Sequence, residues 1–286
     1  MSARILEGAP IADRIKAELR AQIEQLQDRK PPKLVAILAG DNPGSKFYAK
    51  SQQKDCEELG IGYELRELPA EVPENEMLAT IDGLNADETV TGIILLVPVP
   101  EQLNARKLQA AIDPVKDVDG VHPANLGRVV QADRTLAPCT AQAAVAMVEE
   151  AGVELKGAEV VMVGHSEIVG KPTALLLLEP LATVTVCHIG TRDTAAHCRE
   201  ADIVIVATGV PGLVKPDWIK PGALVVDVGI NRVKGEDGKT KIVGDVAPGV
   251  EEVAGILTPV PGGVGSVTAA MLMKNTVAAA ALQAAV

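Results

Sequence analysis

The chain has 286 residues, 47% of them hydrophobic, with only one Phe, two Tyr and one Trp, and its 27 Lys and Arg against 38 Asp and Glu leave a net charge of −11. That length suits one large or two ordinary domains whose core is packed from aliphatic side chains. The charge disfavours non-specific binding to nucleic acid or anionic membranes, and the scarcity of aromatic residues excludes base-stacking platforms.

In chain order, Ile11, Ile15, Leu19, Ile23 and Leu26 recur at steps of three or four, which predicts an amphipathic helix ending before Pro31 and Pro32. Short β-branched runs then alternate with helical patterns. Residues 33–39 read as a strand, 44–59 as a helix, 61–68 as a strand, 74–84 as a helix, 92–97 as a buried strand and 101–112 as a helix. A second series begins near Cys139, with a helix over 141–151, a strand centred on 160–163 and a helix over 168–178. Strands over 183–187, 203–207 and 223–227 follow, then a Pro/Gly loop over 258–265 and an Ala-rich helix from Val267 to the end. Strands separated by helices imply βαβ units and a mostly parallel sheet. The rhythm breaks near residue 138, so two α/β domains are expected.

The longest apolar windows, 92–100, 174–178 and 203–207, fall well short of the roughly 20 residues that span a bilayer. No basic start followed by an apolar run marks a secretory signal. Cys56, Cys139, Cys187 and Cys198 lie far apart with no CxxC, as suits a reducing compartment. A cytoplasmic location without membrane or nucleic-acid partners is the expectation. His188 with Cys187 and His197 with Cys198 offer no four-ligand spacing, so no metal is expected.

Gly164-His165-Ser166-Glu167-Ile168-Val169-Gly170 follows a buried strand and opens a helix, the setting in which backbone N–H groups receive a pyrophosphate. Ala207-Thr208-Gly209 and Asp227-Val228-Gly229-Ile230-Asn231 form further glycine turns after strands. The ribose-binding acid usual about 20 residues beyond the first glycine is missing from 186–190, and the nearest Arg is Arg192.

Several motifs now converge. Gly164–Pro172 (GHSEIVGKP) looks like a GRSxxVGxP loop. Lys116–Gly120 (KDVDG), Pro138-Cys139-Thr140, Asp227–Asn231 (DVGIN), Gly244-Asp245-Val246, Thr258–Gly265 (TPVPGGVG) and Met271–Thr276 (MLMKNT) follow in order. Together they resemble the methylenetetrahydrofolate dehydrogenase/cyclohydrolase (FolD-like) family over essentially the whole chain. The resemblance implies a homodimer of two-domain subunits. Residues 1–137 with 266–286 would form the folate-binding catalytic domain, and 138–265 a Rossmann-type NAD(P)-binding domain, with a cleft between them. It implies oxidation of 5,10-methylenetetrahydrofolate to the methenyl compound, followed in most members by hydration to 10-formyltetrahydrofolate.

Carried over residue by residue, the resemblance makes Tyr48 of Ser45-Lys46-Phe47-Tyr48 the ring that stacks on folate, a use for which its flat amphipathic surface is suited. Asp119 would bind the pterin edge, since a carboxylate accepts two hydrogen bonds there, whereas Asp117 reads as a turn cap. Pro261, Gly262 and Gly263 would bring backbone close to the ligand. Gly164, His165, Ser166, Ile168, Ile189, Thr208, Gly209 and Ile230 would face the cofactor. Two positions depart from the family pattern. The Lys four residues after the Tyr is Gln52, with Lys50 and Lys54 pointing elsewhere, and the Gln of a GILVQLPLP strand is Leu96. Hydration and ring opening need proton transfer, which general acid–base groups accelerate typically ~10²–10⁴-fold. Hydride transfer needs only positioning. The expectation is a dehydrogenase with cyclohydrolase activity lost or weak. Alternatives are a bifunctional enzyme, a catalytically silent cofactor-binding paralogue and a dehydrogenase of another substrate. His165, Glu167 and Ile189 offer a 2′-phosphate little, so NAD is expected over NADP.

Overall fold

Helix starts in this chain are set by short polar side chains and prolines, and the computed structural model, which describes residues 2–25, 31–235 and 238–284, shows where each acts. Strand β1 (Arg4–Ile5) and helix α1 (Ala9–Glu24) precede β2 (Lys33–Ala39), α2 (Pro43–Leu59), β3 (Gly62–Leu68), α3 (Glu74–Ala86) and β4 (Gly92–Leu95). Then come α4 (Ala105–Gln109), α5 (Pro123–Val130), α6 (Cys139–Ala151), β5 (Glu159–Val163), α7 (Gly170–Leu178), β6 (Thr183–Cys187), α8 (Thr194–Glu200) and β7 (Ile203–Val206). The chain closes with β8 (Leu224–Asp227), β9 (Asn231–Lys234), β10 (Thr240–Val243), β11 (Ile256–Leu257) and α9 (Val264–Gln283). Leu26, placed by periodicity in the first helix, and the last two residues of the expected C-terminal helix lie outside the described residues. No described helix is long and apolar enough to cross a membrane.

The chain divides into two compact units, Met1–Asp13 with Thr140–Thr268, and Arg14–Cys139 with Ala269–Val286. The latter holds a three-stranded parallel sheet in the order β3-β2-β4. Its central strand is apolar from Leu34 to Ala39 because both faces are covered, as parallel sheets require. Val35, Ile37, Ile93 and Leu95 pack with Met77, Ile81, Leu84, Leu108 and Ile112. Each such aliphatic side chain contributes ~1.5–3 kcal/mol on burial, which offsets the absence of aromatic bulk.

The former holds a six-stranded, wholly parallel sheet in the order β1-β11-β8-β7-β5-β6, beside an antiparallel β9–β10 ribbon. Its core joins Val161, Val163, Val204, Val206 and Val225, with Trp218 packed against it. Residues 2–13 were expected with the other unit. Instead Arg4 pairs with Ile256 and Ile5 with Leu257, making β1 an edge strand of this sheet. Two residues carry no periodicity, so only the pairing reveals them.

Other boundaries move for identifiable reasons. The helix expected over 101–112 is only α4, because the Asn104 side chain accepts from Lys107 N–H and starts a new helix there. The strand expected to reach Val97 ends at Leu95, and Pro98 has no N–H to continue it. The helix expected from Ile168 begins at Gly170, because Ser166 Oγ accepts from the N–H groups of Val169 (3.2 Å) and Gly170 (3.4 Å). Ile168 therefore sits in the loop.

Candidate active site

Helix α2 positions the first candidates. Asn42 Oδ1 accepts from Gly44 N–H (2.9 Å) and Ser45 N–H (3.1 Å), Pro43 occupies the first turn and Gly60, at φ 71°, closes the helix. This fixes the helix's rotation, so Ser45, Ala49, Gln52, Asp55, Cys56 and Leu59 are buried. Ser45 Oγ donates to Val97 O (3.3 Å), holding α2 to the end of β4. Tyr48 is half-buried on the same face, one turn before Gln52, while Lys50 and Lys54 are exposed. Burial, then the nearby carboxyl of Asp119, pushes the Tyr48 phenol up, so it stays neutral.

Gln52 is 1% exposed. Its Oε1 accepts from Tyr63 OH (3.2 Å), while Nε2 is buried without a partner among the described residues. Leu96 is likewise buried, with its N–H donating to Ile37 O (2.9 Å). The two positions thus hold a polar, non-titrating amide and an apolar side chain.

The Lys116–Gly120 turn carries the carboxylates. Asp117 is fully buried. Its Oδ2 accepts from His122 N–H (2.7 Å) and Asn125 Nδ2 (2.8 Å), so it caps the turn, as the sequence suggested. Asp119 is half-buried, and its carboxylate has no hydrogen-bond or ion-pair partner among the described residues. Burial, then the like charge of Asp117, raises its pKa to about 7. A half-buried carboxyl with no partner among the described residues suits a ligand with paired N–H donors. Gly120 is required beside it, since at φ 76° a Cβ would lie 2.4 Å from the Ala137 carbonyl.

Two residues in these motifs have roles that spacing does not show. Lys116 is buried, and its Nζ donates to the carbonyls of Leu84 (3.1 Å), Asn85 (2.7 Å) and Asp87 (2.8 Å), tying off the end of α3. Asn275 Nδ2 donates to Val118 O (2.9 Å) and Ala137 O (3.0 Å), locking the segments around Asp119. The four cysteines are buried, and burial pushes their thiols up, Cys56 and Cys198 to about 12, which makes them unsuited as nucleophiles.

In the six-stranded sheet the order reverses at β5, whose successors β6 and β7 flank it on opposite sides. Open parallel sheets bind ligands at the carboxyl ends of strands at such a reversal. Gly164 (φ 122°) ends β5, and a Cβ on it would lie 2.2 Å from Ala207 O at the end of β7. A Cβ on Gly170 would lie 2.3 Å from Gly164 O. Side chains are thus excluded from a cradle at the crevice. Around it, Ile168, Ile189, Val210 and Ile230 are exposed beyond the ends of β5, β6, β7 and β8. Such apolar side chains suit the faces of a dinucleotide's rings. His165 and Ser166 follow Gly164 directly and are exposed.

Thr208 and Gly209 are fixed from behind. Asp245, fully buried, accepts at Oδ2 from Thr208 N–H (2.5 Å), Thr208 Oγ1 (2.8 Å) and Gly209 N–H (2.9 Å), and at Oδ1 from Asn231 Nδ2 (2.8 Å). Asp227 in turn accepts from Gly229 N–H (2.9 Å), Asp245 N–H (3.0 Å) and Val246 N–H (2.9 Å). Gly229 and Gly244 are needed because a Cβ would strike these carboxylates. The DVGIN and GDV motifs were visible in the sequence. Their joint role in holding the Thr208–Gly209 turn was not.

Pro261, Gly262 and Gly263 lie in the same unit as this loop. Gly262 has φ 104°, its carbonyl accepts from Gly8 N–H (2.8 Å), and a Cβ on Gly8 would lie 2.1 Å from Gly263 O. The segment is therefore seated on the turn before α1.

A parallel sheet with a glycine cradle at its switch point, joined to a unit bearing a tyrosine, an amide and an unpaired carboxyl, defines a dinucleotide-dependent enzyme with a separate substrate unit. Comparison with known proteins agrees. Residues 138–284 match the tetrahydrofolate dehydrogenase/cyclohydrolase NAD(P)-binding domain, and residues 6–119 match the catalytic domain of the same enzymes. "Bifunctional protein FolD 2" of Mesorhizobium japonicum is 50% identical over 283 residues, covering 98% of this chain and 92% of that protein. The crystal structure of the bifunctional enzyme FolD, methylenetetrahydrofolate dehydrogenase/cyclohydrolase, from Campylobacter jejuni superimposes with a TM-score of 0.92 at 40% identity, covering 99% of this chain and 100% of that one. The Trypanosoma brucei dehydrogenase-cyclohydrolase, complexed with NADP and an inhibitor, superimposes at 0.93 with 35% identity and full coverage of both chains. The chain belongs to the tetrahydrofolate dehydrogenase/cyclohydrolase family, and is an NAD(P)-dependent methylenetetrahydrofolate dehydrogenase.

Proposed function

We propose that this enzyme oxidises 5,10-methylenetetrahydrofolate to 5,10-methenyltetrahydrofolate with NAD in preference to NADP, and that its cyclohydrolase activity is lost or weak. The carrying observation is Gln52, a buried amide held by Tyr63 where the family resemblance expects a lysine, together with a buried Leu96 where it expects a glutamine. Neither side chain can carry a proton at neutral pH. The nicotinamide supplies the hydride acceptor. In this reading Tyr48 stacks on the folate and Asp119 fixes the pterin edge. Pro261, Gly262 and Gly263 approach with backbone alone, and Gly164, His165, Ser166, Ile168, Ile189, Thr208, Gly209 and Ile230 hold the cofactor. No residue need remove a proton at the reacting carbon, because the transfer is of a hydride.

A second reading, with both activities retained, is favoured by the "bifunctional" name of the 50% identical Mesorhizobium relative. It requires another proton carrier, and Asp119, titrating at about 7, has the matching pKa. The family resemblance also supports a homodimer, which sedimentation equilibrium would test, in the cytoplasm.

The deciding experiment mixes purified protein with 5,10-methylenetetrahydrofolate and NAD or NADP, following reduced nicotinamide and methenyl absorbance together. Reduced cofactor with persisting methenyl product is the expected result. Loss of methenyl well above its spontaneous rate establishes the second reading. A clearly higher kcat/KM with NADP at pH 8 overturns the cofactor preference, and no turnover points to a silent paralogue.

A further inference from the structure

Helix α2 ends at Gly60, whose left-handed conformation reverses the chain into β3. Ile61 N–H donates to Cys56 O (2.9 Å), which fastens the reversal. Tyr63, the second residue of β3 and in register with Leu34 of β2, is thereby brought to α2. Its hydroxyl donates to Gln52 Oε1 at 3.2 Å, across 11 residues of chain. Gln52 is 1% exposed and lies one turn after Tyr48 on the same face of the helix. Its Nε2 has no partner among the described residues. The nearest carboxylate in sequence, Asp55, is taken by Lys16 (2.5 Å).

A buried N–H group without an acceptor costs free energy, so such a group calls for something that completes it. We propose that Tyr63 is a positioning residue that acts through Gln52. Its hydroxyl holds the amide oxygen, so that the Nε2 donors are left to take an acceptor atom of the bound folate. This rests on the reading given above, in which the Tyr48 face of α2 receives the folate.

A glutamine amide has two orientations, related by a half-turn about its last bond, that fill the same space. In one it offers N–H donors to a ligand, and in the other an oxygen that repels the same acceptor. A phenol selects between them. Its oxygen lone pair is delocalised into the ring, so it donates better than it accepts and favours the amide oxygen as its partner. Burial pushes the Tyr63 phenol up, so the O–H persists at every physiological pH. Gln52 held in this way binds substrate as a fixed neutral donor and handles no proton. Hydride transfer asks for no more than such positioning. A bond made in the bound state and kept in the transition state is uniform binding, so its loss falls on KM rather than on kcat.

The test is steady-state oxidation of 5,10-methylenetetrahydrofolate at saturating NAD or NADP by the native protein, Y63F, Q52M, the Y63F/Q52M double variant and Y48L. Q52M, which keeps the volume and removes the donor, is expected to raise KM about fivefold, and Y63F about threefold, with kcat changed less than KM. The double variant should be no worse than Q52M alone, because Tyr63 then has no amide to hold. A Tyr63 that only packs β3 against α2 gives penalties that multiply instead. Multiplying penalties, or an unchanged KM in Q52M or in Y63F, overturn the proposal. Where circular dichroism shows Y63F to be unfolded, the side-chain amide proton resonances of Gln52, assigned by their disappearance in Q52M, decide. Saturating tetrahydrofolate is expected to shift them, and unmoved resonances overturn the proposal. Y48L tests the reading beneath. An unchanged KM in Y48L removes the folate from this face and the proposal with it, whereas a raised KM in Y48L with none in Q52M overturns the proposal alone.

Discussion

Replacing Asp119 by Asn should move stability and substrate binding in opposite directions. The carboxyl has no partner among the described residues, and burial with the like charge of Asp117 lifts its pKa from 3.8 to about 7. Since the folded-state value lies above the unfolded one, ionised Asp119 destabilises the fold. The cost is present in full above about pH 7 and vanishes as pH falls towards about 4. At about 1.4 kcal/mol per pH unit the ceiling is on the order of 4 kcal/mol. The side chain remains partly open to water, which screens the charge, so about 2 kcal/mol is expected. For a unit of this size that corresponds to a Tm higher by about 4–8 °C at pH 8. If Asp119 binds the pterin edge as proposed, the same substitution removes a charged acceptor worth ~1.5–3 kcal/mol, so the KM for 5,10-methylenetetrahydrofolate should rise by roughly 10–100-fold. Thermal unfolding by circular dichroism at about pH 4.5 and pH 8, with steady-state kinetics at pH 8, measures both. A variant destabilised at pH 8, or one whose gain in Tm is equally large at both pH values, would refute the reasoning.

Three further outcomes follow from particular contacts. Asp245→Ala strands four donors in a buried site, so it should cost about 3–5 kcal/mol, lower Tm by on the order of 10 °C and weaken dinucleotide binding in calorimetry. Lys116→Met leaves three carbonyls at the end of α3 without their donor and should cost about 2–3 kcal/mol in urea unfolding, with the Kd for NAD unchanged. A Gln52→Lys, Leu96→Gln double substitution should create or raise methenyl hydrolysis, and its failure to do so would remove the roles assigned to those two positions.

The glycine loop over 164–170 was legible as a strand-to-helix turn because it lies between a strand and a helix whose apolar runs are strong, and helix α2 because Asn42, Pro43 and Gly60 bracket it locally. Edge pairing was not. Strand β1 is defined by β11, some 250 residues away, and the β9–β10 ribbon is half-exposed, so neither leaves an apolar signature. The same holds for polar side chains. Asp117 reads as a turn cap because its partners lie five and eight residues on. Lys116 reaches about 30 residues back to α3, and Asp245 reaches about 37 back to Thr208, distances at which sequence spacing carries no geometric information.

The distribution of the few aromatic residues gives the molecule a built-in optical division. Trp218 packs on the core of the six-stranded sheet, while Tyr48 and Tyr63 both lie in the other unit. Indole emission excited at the red edge therefore reports the integrity of the dinucleotide unit alone. Tyrosine ultraviolet absorbance, by contrast, reports only on the unit that carries Gln52 and Asp119. Unfolding followed through the two chromophores resolves the stability of each half of the chain without any added label.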